Sequence, residues 1–174
     1  MLDNLSDTDV KNLNLALDAA LKAYDLGNYP VGAVLTIDNV VVGSGENKIN
    51  EGKSYFNHAE ISLIATHSSK LYDAYSSGKQ IVLYSTLEPC IQCLGAAVTN
   101  HINKIIYITK DPNGGACDIK HDNIGDWYKH TWPEIVYAPI SENPLELMVR
   151  FFKNEIVKGN TKWPEKMLRL YNAF

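Results

Sequence analysis

Apolar residues at Leu13, Leu17, Leu21 and Tyr24 recur at helical spacing and predict a first helix. Ser6 and Asp9 place a capping pair at its start, and Gly27 stops it. The period then changes. Residues 31–37 and 40–45 read as two strands, and Asp38-Asn39 between them is turn chemistry, which predicts a hairpin. Residues 46–57 are polar and read as loop. A second helix starts near His58 and should turn Ile61, Ile64 and Ala65 inward. Residues 80–85 are β-branched and apolar enough for a buried third strand. Pro89 suits the first position of a third helix that runs to about Asn100.

Residues 104–109 read as a fourth strand. A long connection follows over 110–133, with a short helix around 124–129, and residues 134–137 read as a short fifth strand. Asn143-Pro144 forms a cap and first-position pair for a helix whose face is Leu145, Met148, Val149, Phe152 and Ile156; Gly159 ends it. A basic, apolar stretch over 164–174 predicts a last short helix. Helices alternating with strands at this spacing argue for an α/β layered domain, with helices on both faces of one sheet. The opening hairpin makes that sheet mixed, and the long link into the fifth strand suits a parallel crossover.

Composition changes this picture little. The 174 residues are 45% hydrophobic and 21% charged, with a formal net charge of -4, the balance of an ordinary globular domain. The whole of 1–174 reads as one domain, with 160–174 a C-terminal extension. No apolar run approaches a membrane span, and the acidic N-terminus has no signal-peptide core. A cytoplasmic protein with no membrane partner is expected. The acidic balance gives no sign of a phosphate-binding surface. Only the C-terminal stretch is basic, which a solvated helix face explains as well as a nucleic-acid strip.

The chemistry gathers around three residues with metal-ligand character. Cys90 and Cys93 stand three apart, share a helix face, and sit near a helix start whose dipole favours thiolate. Three cysteines make no disulfide framework. His58, at another helix start, is the best third ligand. One imidazole and two thiolates suit zinc and leave a fourth position for water or hydroxide, the open arrangement of a catalytic site. Glu60, two residues on, reaches that water without being a ligand and suits proton transfer. Two alternatives stand beside this reading: a redox thiol pair, and a closed structural cage completed by Cys117.

The joint pattern His58-Ala59-Glu60 and Pro89-Cys90-Ile91-Gln92-Cys93 matches the zinc deaminase signature. The chain resembles the cytidine deaminase-like superfamily, and within it the branch of tRNA adenosine, guanine and cytosine deaminases. Tyr29 to Val34, Asn57 to Ile61, Thr86 to Cys90, Gly95-Ala96 and Asp111 to Ala116 carry the likeness, over roughly residues 8–155. The resemblance implies a three-layer α/β/α sandwich with a five-stranded mixed sheet. It also implies one Zn2+ per chain on His58, Cys90 and Cys93, Glu60 as the catalytic proton carrier, and a homodimer. Asn47 and Asp111 match substrate-contacting positions, although a capped turn explains each. Tyr29, Phe56, Trp127 and Trp132 are aromatic walls available to a flat base. The acidic balance favours a free nucleobase or nucleoside as substrate, with the wobble adenosine of a tRNA as the alternative. A non-catalytic zinc-stabilised binding module is a third reading, against which Glu60 argues.

Overall fold

The computed structural model describes residues 5–140 and 144–171. Its elements follow in the order α1 (Asp7–Asp25), β1 (Gly32–Ile37), β2 (Val40–Glu46), α2 (Ile49–Gly52), α3 (Ala59–Ser76), β3 (Ile81–Ser85), α4 (Ile91–Thr99), β4 (Lys104–Tyr107), α5 (Asp126–His130), β5 (Glu134–Tyr137), α6 (Leu145–Val157) and α7 (Lys162–Tyr171). The strands form one sheet in the order β2-β1-β3-β4-β5. β1 runs antiparallel to both β2 and β3, whereas β3, β4 and β5 are parallel. This is the expected mixed five-stranded α/β/α arrangement, including the parallel crossover into β5.

The hairpin forms where the sequence places it. Asp38 and Asn39 both have positive φ, 48° and 64°. A two-residue hairpin needs that left-handed backbone to match strand twist, and short polar side chains tolerate it. β1 is buried on both faces because helices cover both. Its Val34 packs with Leu13 and Ala16 of α1, together with Val82 and Tyr84 of β3. Its Ala33 and Leu35 face the other way, into a cluster with Leu63 and Ile64 of α3 and Leu94 and Ala97 of α4.

Two helix faces differ from the expected ones. In α1 the buried residues are mainly Leu13 and the alanines Ala16, Ala19, Ala20 and Ala23, while Leu21 is 49% exposed. The cause is close approach: a Cβ on Gly32 would collide with the Ala16 carbonyl and the Ala20 amide, so only small residues fit beneath α1. The capping pair is a full capping box, in which Ser6 Oγ accepts from the Asp9 N–H at 3.2 Å and Asp9 Oδ2 accepts from the Ser6 N–H at 2.9 Å. In α3, Ile61 is half-buried and Ala65 exposed, whereas Glu60, Leu63, Ile64 and Leu71 are buried. Turning Glu60 inward sets the phase of that helix.

Smaller differences sit at the ends and in loops. The stretch read as loop over 46–57 holds the short α2, capped from a distance: buried Asn28 Oδ1 accepts from the backbone N–H groups of Asn50 and Glu51, each at 3.0 Å. α4 starts at Ile91 with Cys90 as its N-cap, so Pro89 lies just outside the helix rather than at its first position. α7 starts at Lys162, with Pro164 in its first turn. The expected cap at Asn143 and the end of the predicted helix, residues 172–174, lie outside the described residues. On α6, Phe151 joins Met148 and Phe152 as the buried set, with Val149 and Ile156 half-buried. Among the described residues no helix is long and apolar enough to cross a membrane.

Candidate metal centre and base pocket

Two helix starts converge beside the carboxyl end of β3. His58 is the N-cap of α3, Cys90 the N-cap of α4, and Cys93 the third residue of α4. His58 Nδ1 lies 3.7 Å from Cys90 Sγ and 3.5 Å from Cys93 Sγ, and the two sulfurs are 3.6 Å apart. A tetrahedral zinc with bonds of about 2.0–2.1 Å to nitrogen and about 2.3 Å to sulfur calls for ligand-ligand edges of roughly 3.5–3.8 Å. The triangle therefore fits zinc on three residues with a fourth side open. These three form the His/Cys/Asp/Glu group that could hold a metal among the described residues. Cys117 is buried elsewhere, against Glu88, and does not close a cage.

The local electrostatics suit a cation. Contact with Cys93 holds the Cys90 thiol down to about 4; burial opposes this, and the His58 ring reinforces it. Contact with Cys90 and burial push the Cys93 thiol up. Contact with Cys90 raises His58 against the opposing effect of burial. Zinc binds such a cluster in place of protons, so the proton affinities of the three groups are coupled to metal binding.

Glu60 lies in the first turn of α3 and is 3% exposed. Its Oε2 is 3.5 Å from Cys93 Sγ. Its Oε1 accepts from the hydroxyl of Ser85, the last residue of β3, at 2.8 Å. Burial raises the Glu60 carboxyl above its ordinary value, while the Ser85 hydroxyl and His58 pull the other way. A buried carboxyl with a raised value is suited to picking up and returning a proton.

His58, Glu60 and Cys90 line a cavity of about 240 Å³, just below the roughly 300–1,000 Å³ usual for small-molecule sites. Asn47 and Asp111 line it too. Asn47 is 3% exposed, and its Oδ1 is engaged by the Ile49 N–H at 3.0 Å. That leaves its amide N–H2 as the group available to a substrate. Asp111 Oδ1 accepts from the Asn113 N–H at 2.9 Å, so Asp111 is a turn residue and a cavity residue at once. Of the four aromatic residues singled out, only Tyr29 lines this cavity. Phe56 is 72% exposed, Trp127 packs edge-on to His101, and Trp132 stacks on His121.

Sequence reasoning missed most of the wall. Tyr55, Met148, Phe152, Trp163, Met167 and Tyr171 are also part of the lining. Three of these come from α7, in the stretch set aside as an extension. Lys166 of α7 also donates to Asn113 Oδ1 at 2.8 Å, tying that helix to the loop after β4.

The chain is similar to known deaminases over most of its length. It is 34% identical over 152 residues to tRNA-specific adenosine deaminase 2 of Xenopus tropicalis, covering 82% of this chain and 88% of that protein. It is 33% identical over 145 residues to the tRNA-specific adenosine deaminase of Aquifex aeolicus (strain VF5), covering 81% and 91%. A structure from studies of A-to-I editing by tRNA:A34 deaminases superposes with TM-score 0.61 at 29% identity, covering 74% of this chain and 97% of that one. A guanine deaminase from Nitrosomonas europaea shares the fold, with TM-score 0.66 at 15% identity over 84% of this chain and 85% of that one. Residues 6–109 match the model of the cytidine and deoxycytidylate deaminase zinc-binding region. The chain belongs to that deaminase family, whose members hydrolyse carbon-nitrogen bonds of nucleobases and nucleosides.

Proposed function

We propose that this protein is a tRNA-specific adenosine deaminase, which converts adenosine to inosine at the wobble position. The observation that carries this reading is the similarity, nearly end to end, to tRNA-specific adenosine deaminases of two distant organisms. The acidic composition favours a free base or nucleoside instead, and the relatives weigh more than composition. The small cavity accords with a nucleotide turned out of its loop and read singly.

His58, Cys90 and Cys93 would hold the zinc, through Nδ1 and the two Sγ atoms. Zinc in that position supplies Lewis-acid activation of water at neutral pH. Glu60 does the proton work. Its Oε2, on the cavity side near Cys93, takes the proton of the attacking water and returns it to the ring nitrogen beside the amine-bearing carbon. The same carboxyl then takes the proton of the newly added hydroxyl and delivers it to the departing amine, so the hydroxyl becomes the carbonyl, water goes in and ammonia comes out. The Ser85 hydroxyl on Oε1 fixes which oxygen faces the substrate. The free N–H2 of Asn47 orients the nucleoside, and the apolar wall of Tyr29, Met148 and Phe152 excludes bulk water.

The test is ammonia release from a panel of tRNA with A34, adenosine, adenine, guanine and cytosine, run on the native protein and on Glu60→Ala. Turnover of the tRNA above all free substrates is expected, with zinc retained and turnover abolished in Glu60→Ala. Preferred turnover of a free base overturns the substrate, and an active Glu60→Ala overturns the mechanism.

A further inference from the structure

Glu88 stands between Leu87 and Pro89, just ahead of the ligand turn, and nothing in the metal chemistry uses it. It is 6% exposed. It borders the base cavity, but both of its oxygens are engaged by the loop that follows β4. Oε1 accepts from the backbone N–H of Cys117 at 3.0 Å, and Oε2 accepts from the backbone N–H of Asp111 at 3.2 Å. Its own backbone N–H donates to the Thr109 carbonyl at 2.8 Å. One residue thus grips the loop at its start and at its end.

The loop is shaped to receive that carboxylate. A Cβ on Gly115 would meet the Glu88 carboxyl carbon, lie 2.5 Å from its Oε2 and 2.7 Å from the Asp111 carbonyl. Glycine at 115 is therefore the space in which the carboxylate sits. Beside it, Cys90 and Gly115 make an antiparallel backbone bridge, and the Ala116 N–H donates to the Pro89 carbonyl at 3.0 Å. The segment between the two grips contains Asp111, Asn113 and Gly114, which all line the base cavity.

We infer that Glu88 is a positioning residue for substrate recognition: its buried carboxylate, seated against Gly115, holds the 111–117 loop at the distance from the zinc ligands that the substrate requires. Buried hydrogen bonds to a charged acceptor are stronger than neutral ones. A loop held by two of them from inside stays in place before substrate arrives, which is how preorganisation lowers the cost of binding. The inference deepens the proposed deaminase reading and rests on it only for the activity part of its test.

Glu88→Gln keeps the shape and one acceptor but turns an N–H2 donor towards a backbone N–H. Gly115→Ala leaves Glu88 intact and fills its seat. The two substitutions should converge. In both, amide hydrogen exchange at Asp111 and Cys117 speeds up by about tenfold or more, while exchange in β1 and β3 is unchanged. Zinc content stays at the native level. With the substrate that the native enzyme prefers, KM rises about tenfold and kcat falls less, as expected for lost positioning. Native exchange rates at both amides in Glu88→Gln overturn the inference whatever the substrate proves to be. Faster exchange with unchanged KM overturns the link from loop to recognition. Loss of zinc in Glu88→Gln would instead make it a support of the metal site and also overturns the inference. If the native protein deaminates nothing, the proposed function fails, and the exchange data still decide whether Glu88 holds the loop.

Discussion

Asp9 offers a sharp test of how α1 is fixed to the sheet. Its Oδ2 closes the capping box with Ser6, and its Oδ1 accepts from the Tyr84 hydroxyl at 2.8 Å. Tyr84 is 0% exposed on β3, one residue before the Ser85 that holds Glu60. Asp9→Ala removes both functions. Losing the reciprocal half of the capping box costs about 0.5–1 kcal/mol. The hydroxyl orphaned on buried Tyr84 costs about 1–3 kcal/mol more. A total of roughly 1.5–4 kcal/mol lowers Tm by about 3–16 °C in a domain of this size. Tyr84→Phe alone leaves a half-buried carboxylate that keeps its Ser6 contacts and water, so it should cost about 1 kcal/mol or less. The double variant then has no orphan, and the cycle should show a coupling of about 1–2 kcal/mol between the sites. Thermal and urea melts of the four proteins measure it. Strict additivity refutes the reasoning. The pH dependence adds a second check. Burial pushes the Asp9 carboxyl up, but the Ser6 hydroxyl and N–H and the Tyr84 hydroxyl outweigh it and hold it below the ordinary 3.8. A depressed carboxyl contributes stability above its unfolded value, lost as pH falls through the folded one. Asp9→Ala should therefore flatten the acid side of the stability curve below about pH 4.

Two further outcomes are expected. Removing zinc with a strong chelator should abolish deamination and lower Tm, and added zinc should restore both, because a ligand that binds only the folded state stabilises it by mass action; an unchanged Tm in the stripped protein speaks against the His58, Cys90 and Cys93 site. Glu46 joins the end of β2 to Lys22 of α1 at 2.8 Å and to Lys48 at 3.2 Å. Burial raises its carboxyl, but these two lysines outweigh it and leave it below 4.5. Its contribution is thus present above 4.5 and lost as pH falls, so Glu46→Gln should cost about 1 kcal/mol or less at pH 7 and nothing at low pH, read from paired melts.

What the sequence showed and what it hid divide along physical lines. Zinc accepts few side chains and demands short distances, so a candidate set such as His58, Cys90 and Cys93 shows in type and spacing, and Glu60 follows from the chemistry proposed for it. The sheet is equally plain, because a doubly covered strand must be apolar and a two-residue hairpin needs turn residues such as Asp38-Asn39. Helix phase is less plain. Which stripe of α1 faces inward depends on how closely Gly32 lets the helix approach, a tertiary fact that favours alanines over leucines. Glu88 carries no local signal, because its carboxylate oxygens meet backbone donors 23 and 29 residues away.

The walls of the cavity were the least legible part, for a reason that bears on substrate choice. An apolar side chain facing a base pocket and one facing a core obey the same pattern. Met167 and Tyr171, four apart on α7, read as a packing stripe, and both are buried among Phe152 and its neighbours. Only the path of the chain after Gly159 reveals that they, with Trp163, also line the pocket that His58 and Cys90 border. Specificity in such a site is a property of its walls rather than of its metal, since the ligand cluster and Glu60 serve any amine-bearing ring alike. The proposed reaction rests on four residues of fixed chemistry. The choice of ring depends on the side chains that α7 and the 111–117 loop present to the cavity.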